Sequence, residues 1–412
     1  MQHSAGYMDA DYYQLTGQQL ASGKGFTEPV LWNYLDDSTG LPHPSHAYWM
    51  PLASLVAAGG MAVGGFEFDS GRILFILIAA TIPPLSAQLA WLLSKKKQIA
   101  PLAGGLALLP GFYLPYLPTT DTFAIASVLG GLFFLTLLSK KQNWFAIALG
   151  FIVGLMHLTR TEGLIWLAVV LAFSWFLSKR KSDLGRVLLG YLLIMGPWFI
   201  RNWLVFGSPL QPGAGHTLWL TSYDELFSFP ASLLTSAHWL ASGWGEIFSA
   251  RLSALIQNSL SALIVEGLIF LAPLILLGIW KLRSNLSVRI AAAVWAALLV
   301  AMSGVFPFSG ARGGFFHAAA ALQPIFWALA AVGLESFVVW GAKQRGWQTR
   351  QAFGIFAAGA LIFSAGLSIY VVKLRVVGSD LTHPSWDASF SNYTKLDYAL
   401  AEIGIANNAI VM

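Results

Sequence analysis

The sequence predicts an all-α protein that crosses a membrane many times, and three observations carry that reading. Hydrophobic residues make up 56% of the 412 and charged residues only 10%, against about 25% charged in a soluble domain. The apolar residues fall in blocks of about 20, the length a helix needs to cross a hydrocarbon core. Basic residues cluster in alternate connections between those blocks, as the positive-inside rule requires of cytoplasmic loops. The net charge of +5 is accounted for by these loops, so a nucleic-acid partner is not expected. With no cysteine in the chain, disulfides, thiolate metal sites and cysteine nucleophiles are excluded.

The elements follow in order. Met1 to Ala21 is polar and carries Asp9 and Asp11, so it is not a cleavable signal peptide. The apolar stretch from His46 to Gly65 contains Pro51 and many small residues; counting it as a span inverts the charge pattern of every later loop, so it is read as a helix in the outer interface. Residues 1–71 thus form an extracytoplasmic first loop with interfacial helices. A transmembrane domain over 72–372 follows, with about ten spans near 72–93, 99–118, 121–138, 144–160, 161–178, 187–207, 259–280, 290–308, 318–340 and 352–372. Lys95 to Lys97, Lys140 with Lys141, Lys179 to Lys181 with Arg186, Lys281 with Arg283 and Arg289, and Lys343 with Arg345 and Arg350 mark the cytoplasmic connections. Asp121, the Arg160/Glu162 turn, the long connection 208–258 and Ser309 to Gly314 then face outward. The segment 373–412 is expected outside as the start of a small α/β unit, with a helix over Tyr393 to Ile403 and an apolar strand from Ala409. The polar leader has no signal of its own to carry it across, so the chain reads as a piece of a longer protein, with a transmembrane helix upstream and more of the C-terminal unit downstream.

Charges in a bilayer interior are costly and need a reason. Arg160, Glu162, Arg201, Glu266 and Arg312 all map to the outer ends of their spans, and only Glu335 lies toward the cytoplasmic side. No charged residue falls near a midplane, which argues against an ion-coupled transporter. The short cytoplasmic loops contain neither GxxxxGK[ST] nor GxGxxG after a strand, so they offer no nucleotide site. An enzyme built this way takes its activated substrate from the membrane and works at the outer face.

Each polar motif has a structural and a chemical reading. Asp9 and Asp11 stand just before a helical pattern, where either serves as an N-cap or as a general base for an acceptor. Arg160 and Glu162 flank a tight turn, as an ion pair within the turn or as lining of a cleft. Arg201 with Asn202 ends one span and Arg312 with His317 begins another; these arginines either snorkel to the interface or pair with phosphate oxygens. His43 and His46 form HxxH, which suits interfacial hydrogen bonding or, with Asp9 or Asp11, a divalent metal.

The segment GYMDADYYQLTGQQLASGKGFTEP (Gly6 to Pro29) followed by HPSHAYWMPL (His43 to Leu52) resembles the first extracytoplasmic loop of the glycosyltransferase C superfamily, on the branch of the protein O-mannosyltransferases and aminoarabinose transferases. LTRTEGL (Leu158 to Leu164), GPWFIRNWLVFGSPL (Gly196 to Leu210) and ARGGFFHAAAALQP (Ala311 to Pro324) extend the likeness over nearly the whole chain. The resemblance implies transfer of a sugar from a polyprenyl-phosphate donor to a protein, lipid or glycan acceptor, at the outer face of a cell inner membrane or the endoplasmic reticulum, with inversion. Spacing to Tyr13 puts the family's catalytic Asp on Asp9; Ala10 stands where the family has Glu, which leaves Asp11 as a rival. Asp9 then deprotonates the acceptor, Arg160, Arg201, Asn202 and Arg312 hold the lipid phosphate, and Glu162, His43, His46, His317 and Tyr13 contact substrate. A phosphate leaving group needs no general acid, unlike the glycosidase pair of carboxylates. No cofactor is expected, a divalent metal being the alternative. A lipid-carrier binder or transporter of similar architecture and a lipid-linked glycan ligase are the competing functions.

Overall fold

The computed structural model describes residues 2–139, 144–177, 182–380 and 384–404, and these are overwhelmingly helical. Among them the one sheet is the short antiparallel pairing of Thr27–Glu28 with His43–Pro44, which closes the loop of the leader. Among the described residues, six helical stretches are long and apolar enough to cross a membrane: Phe68–Ser94, Ser182–Phe206, Trp244–Glu266, Leu286–Val305, Pro307–Arg345 and Thr349–Val377. Shorter apolar helices fill the gaps between them, so the protein is an integral membrane protein with an all-α fold. Lys140, Lys141, Lys179, Arg180, Lys181 and the expected strand from Ala409 lie outside the described residues.

The first part of the chain comprises α1 (Met8–Ala21), α2 (Leu52–Gly64), α3 (Phe68–Ala80), α4 (Ile82–Ser94), α5 (Ala100–Leu108), α6 (Phe123–Leu138), α7 (Phe145–Thr159), α8 (Gly163–Leu177) and α9 (Ser182–Phe206). Helix α1 packs on α2 through small residues. A Cβ on Gly17 would sit 2.9 Å from that of Ala57, and Thr16 Oγ1 lies 2.6 Å from Ser54 Oγ. Tyr12 and Tyr13 on the same face are almost wholly buried. Helices α7 and α9 approach still more closely: a Cβ on Gly150 would stand 1.9 Å from the Val187 carbonyl, and one on Gly190 2.1 Å from that of Ile147. Such contacts let membrane helices pack by dispersion where no hydrophobic drive separates them from lipid. The helix Gln323–Arg345 is the hub, with every residue from Gln323 to Leu334 buried.

Two expected spans take a different form. The stretch 99–118 is α-helical only to Leu108, because Pro110, Gly111, Pro115 and Pro118 remove donors and restrict the backbone, and it continues as turns. The stretch 259–280 is two helices, Trp244–Glu266 and Ala272–Lys281, divided where Leu268 and Ile269 adopt φ of 44° and 58°. The first of these helices starts at Trp244, after Gly243 at φ 86°, so the outer connection ends there rather than near residue 258. Residues 207–243 form that connection, from short helical turns.

Candidate functional site

A cavity of about 370 Å³ opens where α1, the α7–α8 turn, the connection 207–243 and the segment 301–317 meet. Asp9, Tyr13, Arg160, Glu162, Arg312 and His317 all line it. Asp11, Arg201, Asn202, His43 and His46 do not.

Asp9 lies in the first turn of α1, where the helix dipole favours a carboxylate. Its burial, reinforced by Asp121 and only partly offset by His317 and Arg160, raises its pKa above the usual carboxylate range. Asp11 is two residues on, turned away from the cavity, and burial pushes it up to about 6.

Asp121, which the sequence marked only as an outer connection, is the centre of the site. It precedes α6 and is 0% exposed. Its Oδ1 accepts from the Thr122 amide at 2.5 Å and the Thr122 hydroxyl at 3.1 Å, and its Oδ2 accepts from the Tyr7 hydroxyl at 2.8 Å. Burial alone would raise this carboxyl, but the neighbouring His317 ring and the bonds from His317, Thr122 and Tyr7 prevail and lower it to about 2. The signal available was the polar run Thr119 to Thr122 directly before an apolar helix: a polar run buried at that place needs partners.

His317 completes the group. It follows a π-helical turn over Gly310–Gly314 in which Gly313 has φ 121°, a value that disfavours any side chain. The turn aims the Gly313 carbonyl at His317 Nδ1, 2.9 Å away. A carbonyl only accepts, so Nδ1 carries the proton. The other nitrogen, Nε2, faces Asp121 Oδ2 at 3.0 Å and Asp9 Oδ2 at 3.6 Å. A lone pair facing two carboxylates requires either a second ring proton or a cation between them. Ligand atoms of Asp9, Asp121 and His317 all lie within 4.8 Å of one another, and two carboxylates with one imidazole of fixed tautomer suit a divalent metal. The donor set therefore fits a metal, through residues other than the histidine pair of the leader.

Arg160 caps α7 in an extended conformation and pairs with Glu162, Nη2 to Oε1, at 2.8 Å. Burial would weaken the guanidinium, but Glu162 outweighs it and holds Arg160 firmly charged. Gly163 makes the turn possible, since a Cβ there would lie 2.3 Å from the His157 Cα. Arg312 is exposed, makes no ion pair among the described residues, and lies 4.4 Å over the Tyr223 ring. Tyr13 is buried on the cavity wall.

Four residues expected to contact substrate lie outside the cavity lining. The Arg201 guanidinium donates to the carbonyls of Ser45 at 2.9 Å and Phe26 at 3.4 Å, and it packs on the Trp198 and Phe206 rings. Asn202 accepts from Arg201 and donates to the Pro209 carbonyl. Both fasten the leader and its neighbouring connection rather than face a phosphate. His43 lies between Asp36 at 3.0 Å and Glu28 at 3.4 Å; burial lowers it, but the two carboxylates prevail and raise it to about 9. His46 is fully buried between Ser45 and Ser54, and burial, with Arg201 nearby, lowers it to about 3. Neither histidine reaches Asp9.

No protein-family model and no curated protein sequence matches the chain. Solved structures do. The archaeal oligosaccharyltransferase AglB from Archaeoglobus fulgidus, in complex with an inhibitory peptide and a dolichol-phosphate, is 15% identical with a TM-score of 0.51, covering 87% of this chain and 51% of that one. The Archaeoglobus fulgidus oligosaccharyltransferase in complex with Zn and sulfate is 18% identical with a TM-score of 0.52, covering 87% and 48%. ArnT from Cupriavidus metallidurans bound to undecaprenyl phosphate is 13% identical with a TM-score of 0.51, covering 89% and 73%. The chain spans about half the length of the oligosaccharyltransferases it matches. What these likenesses show is the architecture: this chain has the all-α, polytopic membrane fold of these solved structures.

Proposed function

We propose that the protein transfers a sugar from a polyprenyl-phosphate carrier to an acceptor hydroxyl or amine, at the extracytoplasmic face of its membrane. The observation that carries this reading is the cluster of Asp9, Asp121 and His317, of which Asp9 and His317 line a cavity that also holds Arg160 and Arg312. The carboxylates suit proton removal and charge placement, and the guanidinium groups suit a phosphate.

In the proposed step the acceptor oxygen or nitrogen attacks the anomeric carbon as the bond from that carbon to the phosphate oxygen breaks. The acceptor proton passes to Asp9, the bonding pair leaves with the phosphate, and the anomeric carbon inverts. Asp9 suits the proton better than Asp121, because Asp121 is already saturated by Thr122, Tyr7 and His317. Arg312, with no carboxylate partner among the described residues, meets the departing phosphate. Arg160 directs Nε and Nη2 at Glu162, which leaves Nη1 for the same anion. Glu162 keeps one buried oxygen without a hydrogen-bond partner, which suits a donor group on a substrate. A divalent cation held by Asp9, Asp121 and His317 would add positive charge for the phosphate oxygens.

The test is incubation of the protein in membranes with a panel of polyprenyl-phosphate sugars. Consumption of one carrier, with release of the lipid phosphate, supports transfer. Binding of the carrier without any consumption across the panel and across hydroxyl and amine acceptors would favour a carrier-binding protein.

A further inference from the structure

The C-terminal segment reaches the other end of the chain. Asp387 Oδ1 accepts from the His3 amide at 3.0 Å, the Ser4 amide at 3.0 Å and the Ser4 hydroxyl at 2.9 Å. Trp386, 6% exposed, donates from its indole nitrogen to the Ser4 carbonyl at 3.1 Å. The fit continues into the next residues. Gly6, at φ 84°, lies so close beneath the indole that a Cβ would overlap it, and the Tyr7 ring meets Trp386 edge-on at 5.7 Å and Tyr116 at 5.4 Å. Tyr7 is the N-cap of α1 and the donor to Asp121 Oδ2. An unbroken run of contacts therefore leads from Asp387 and Trp386, through leader residues 3–7, to the most buried carboxylate of the site.

We propose that Trp386 and Asp387 clamp residues 3–6 and so hold Tyr7 against Asp121, which makes the C-terminal segment a positioning element of the carboxylate–imidazole cluster. A hydroxyl swinging on a free leader would not keep Oδ2 aimed at His317. Held between Trp386 and Tyr116, the Tyr7 ring has one place to be. That this positioning serves sugar transfer rests on the function proposed above; the clamp itself does not.

The Thr122 amide, bonded to Asp121 Oδ1, reports the carboxylate without any substrate or metal. Hydrogen exchange is measured on the full chain in lipid nanodiscs. Trp386→Ala is expected to speed exchange of the His3, Ser4 and Thr122 amides by about tenfold, since unfastening exposes amides that closure protects. Tyr7→Phe, which keeps the ring but not the hydroxyl, is expected to speed Thr122 while leaving the His3 and Ser4 amides protected. Trp386→Phe, which keeps the ring wall, is expected to stay closer to wild type at Thr122 than Trp386→Ala. A leader that loosens in Trp386→Ala while Thr122 stays protected would make the clasp a local fastening and overturn the proposal, as would Thr122 protection unchanged in Tyr7→Phe. Either result can come out independently of whether any polyprenyl-phosphate sugar is consumed.

Discussion

Asp121 Oδ2 stands 3.0 Å from His317 Nε2 although 196 positions separate the two residues in the chain. Asp121 sits on the connection before α6, and His317 follows the glycine turn that leads into the buried hub helix. Packing of these elements, with Ser127 of α6 donating to the Ala320 carbonyl at 3.0 Å, brings the pair together. Asp9 then arrives from the leader as the third member.

Asp9 and Asp11 are expected to separate by function. Asp9→Asn keeps the shape of the side chain and removes its basicity, so turnover with the polyprenyl-phosphate donor is expected to fall about 10²-fold or more. Asp11→Asn, facing away from the cavity, is expected to leave turnover within a few-fold. Initial rates of carrier consumption by the two variants decide it, and an Asp11 variant that loses turnover while Asp9→Asn keeps it would relocate the base.

The arginines are expected to divide in the same way. Arg312→Lys keeps the charge and loses the planar fork, so use of the donor is expected to weaken by about 1.5 to 3 kcal/mol, the range for hydrogen bonds to charged groups. Arg201→Ala is expected instead to lower thermal stability by about 1 to 3 kcal/mol, because the Ser45 carbonyl and the Trp198 ring lose their partner. Donor titrations and melting curves on both variants separate the roles. Equal loss of donor use in a stable Arg201→Lys protein would restore Arg201 to the phosphate.

Protonated His43 between Asp36 and Glu28 predicts a pH dependence of stability. The ring is raised from 6.5 to about 9 in the folded chain, so the folded state holds the proton more tightly than the unfolded one. Its stabilisation is complete below about pH 6.5 and fades as pH rises to about 9. Thermal denaturation across that window is expected to show a decline that His43→Gln flattens. An unchanged slope in the variant would remove His43 from the account.

The close approach of α7 to α9 predicts sensitivity to a single methyl group. Gly150→Ala places a Cβ against the Val187 carbonyl, backbone that moves only with its helix, and overpacking of this kind costs about 1 to 3 kcal/mol. Gly185→Ala, on the partner helix α9 but with no atom within 4 Å of the added Cβ, is the control. Melting temperatures of the two in one detergent are the measurement, and equal stability would show that the helices separate at little cost.

Hydropathy and charge bias make the helical membrane architecture legible, because a helix must satisfy its own backbone in lipid and must be about the thickness of the bilayer. The same reasoning fails where the backbone leaves the helix inside an apolar run, at Pro110 to Pro118 and at Leu268 with Ile269, since mean hydropathy registers neither a lost backbone donor nor a positive φ. Arg160 and Arg312 were legible as charges at the outer ends of apolar blocks, and Asp9 as a carboxylate at the start of the leader's helical pattern. Asp121 was not, because its importance lies in a partner nearly two hundred positions away. Arg201 shows a related limit: sequence shows a cation at a helix end but not the two carbonyls bonded to it.

The positive φ of Gly313 has a consequence for how the site can vary. The proton on His317 Nδ1 answers to a main-chain oxygen, and main-chain oxygens persist through side-chain replacement. Neighbouring side chains can therefore drift without changing which ring nitrogen faces Asp9 and Asp121. The vulnerability is concentrated in one achiral position: any replacement at 313 must either strain its own backbone or swing the carbonyl away, and the imidazole would then be free to choose the other tautomer.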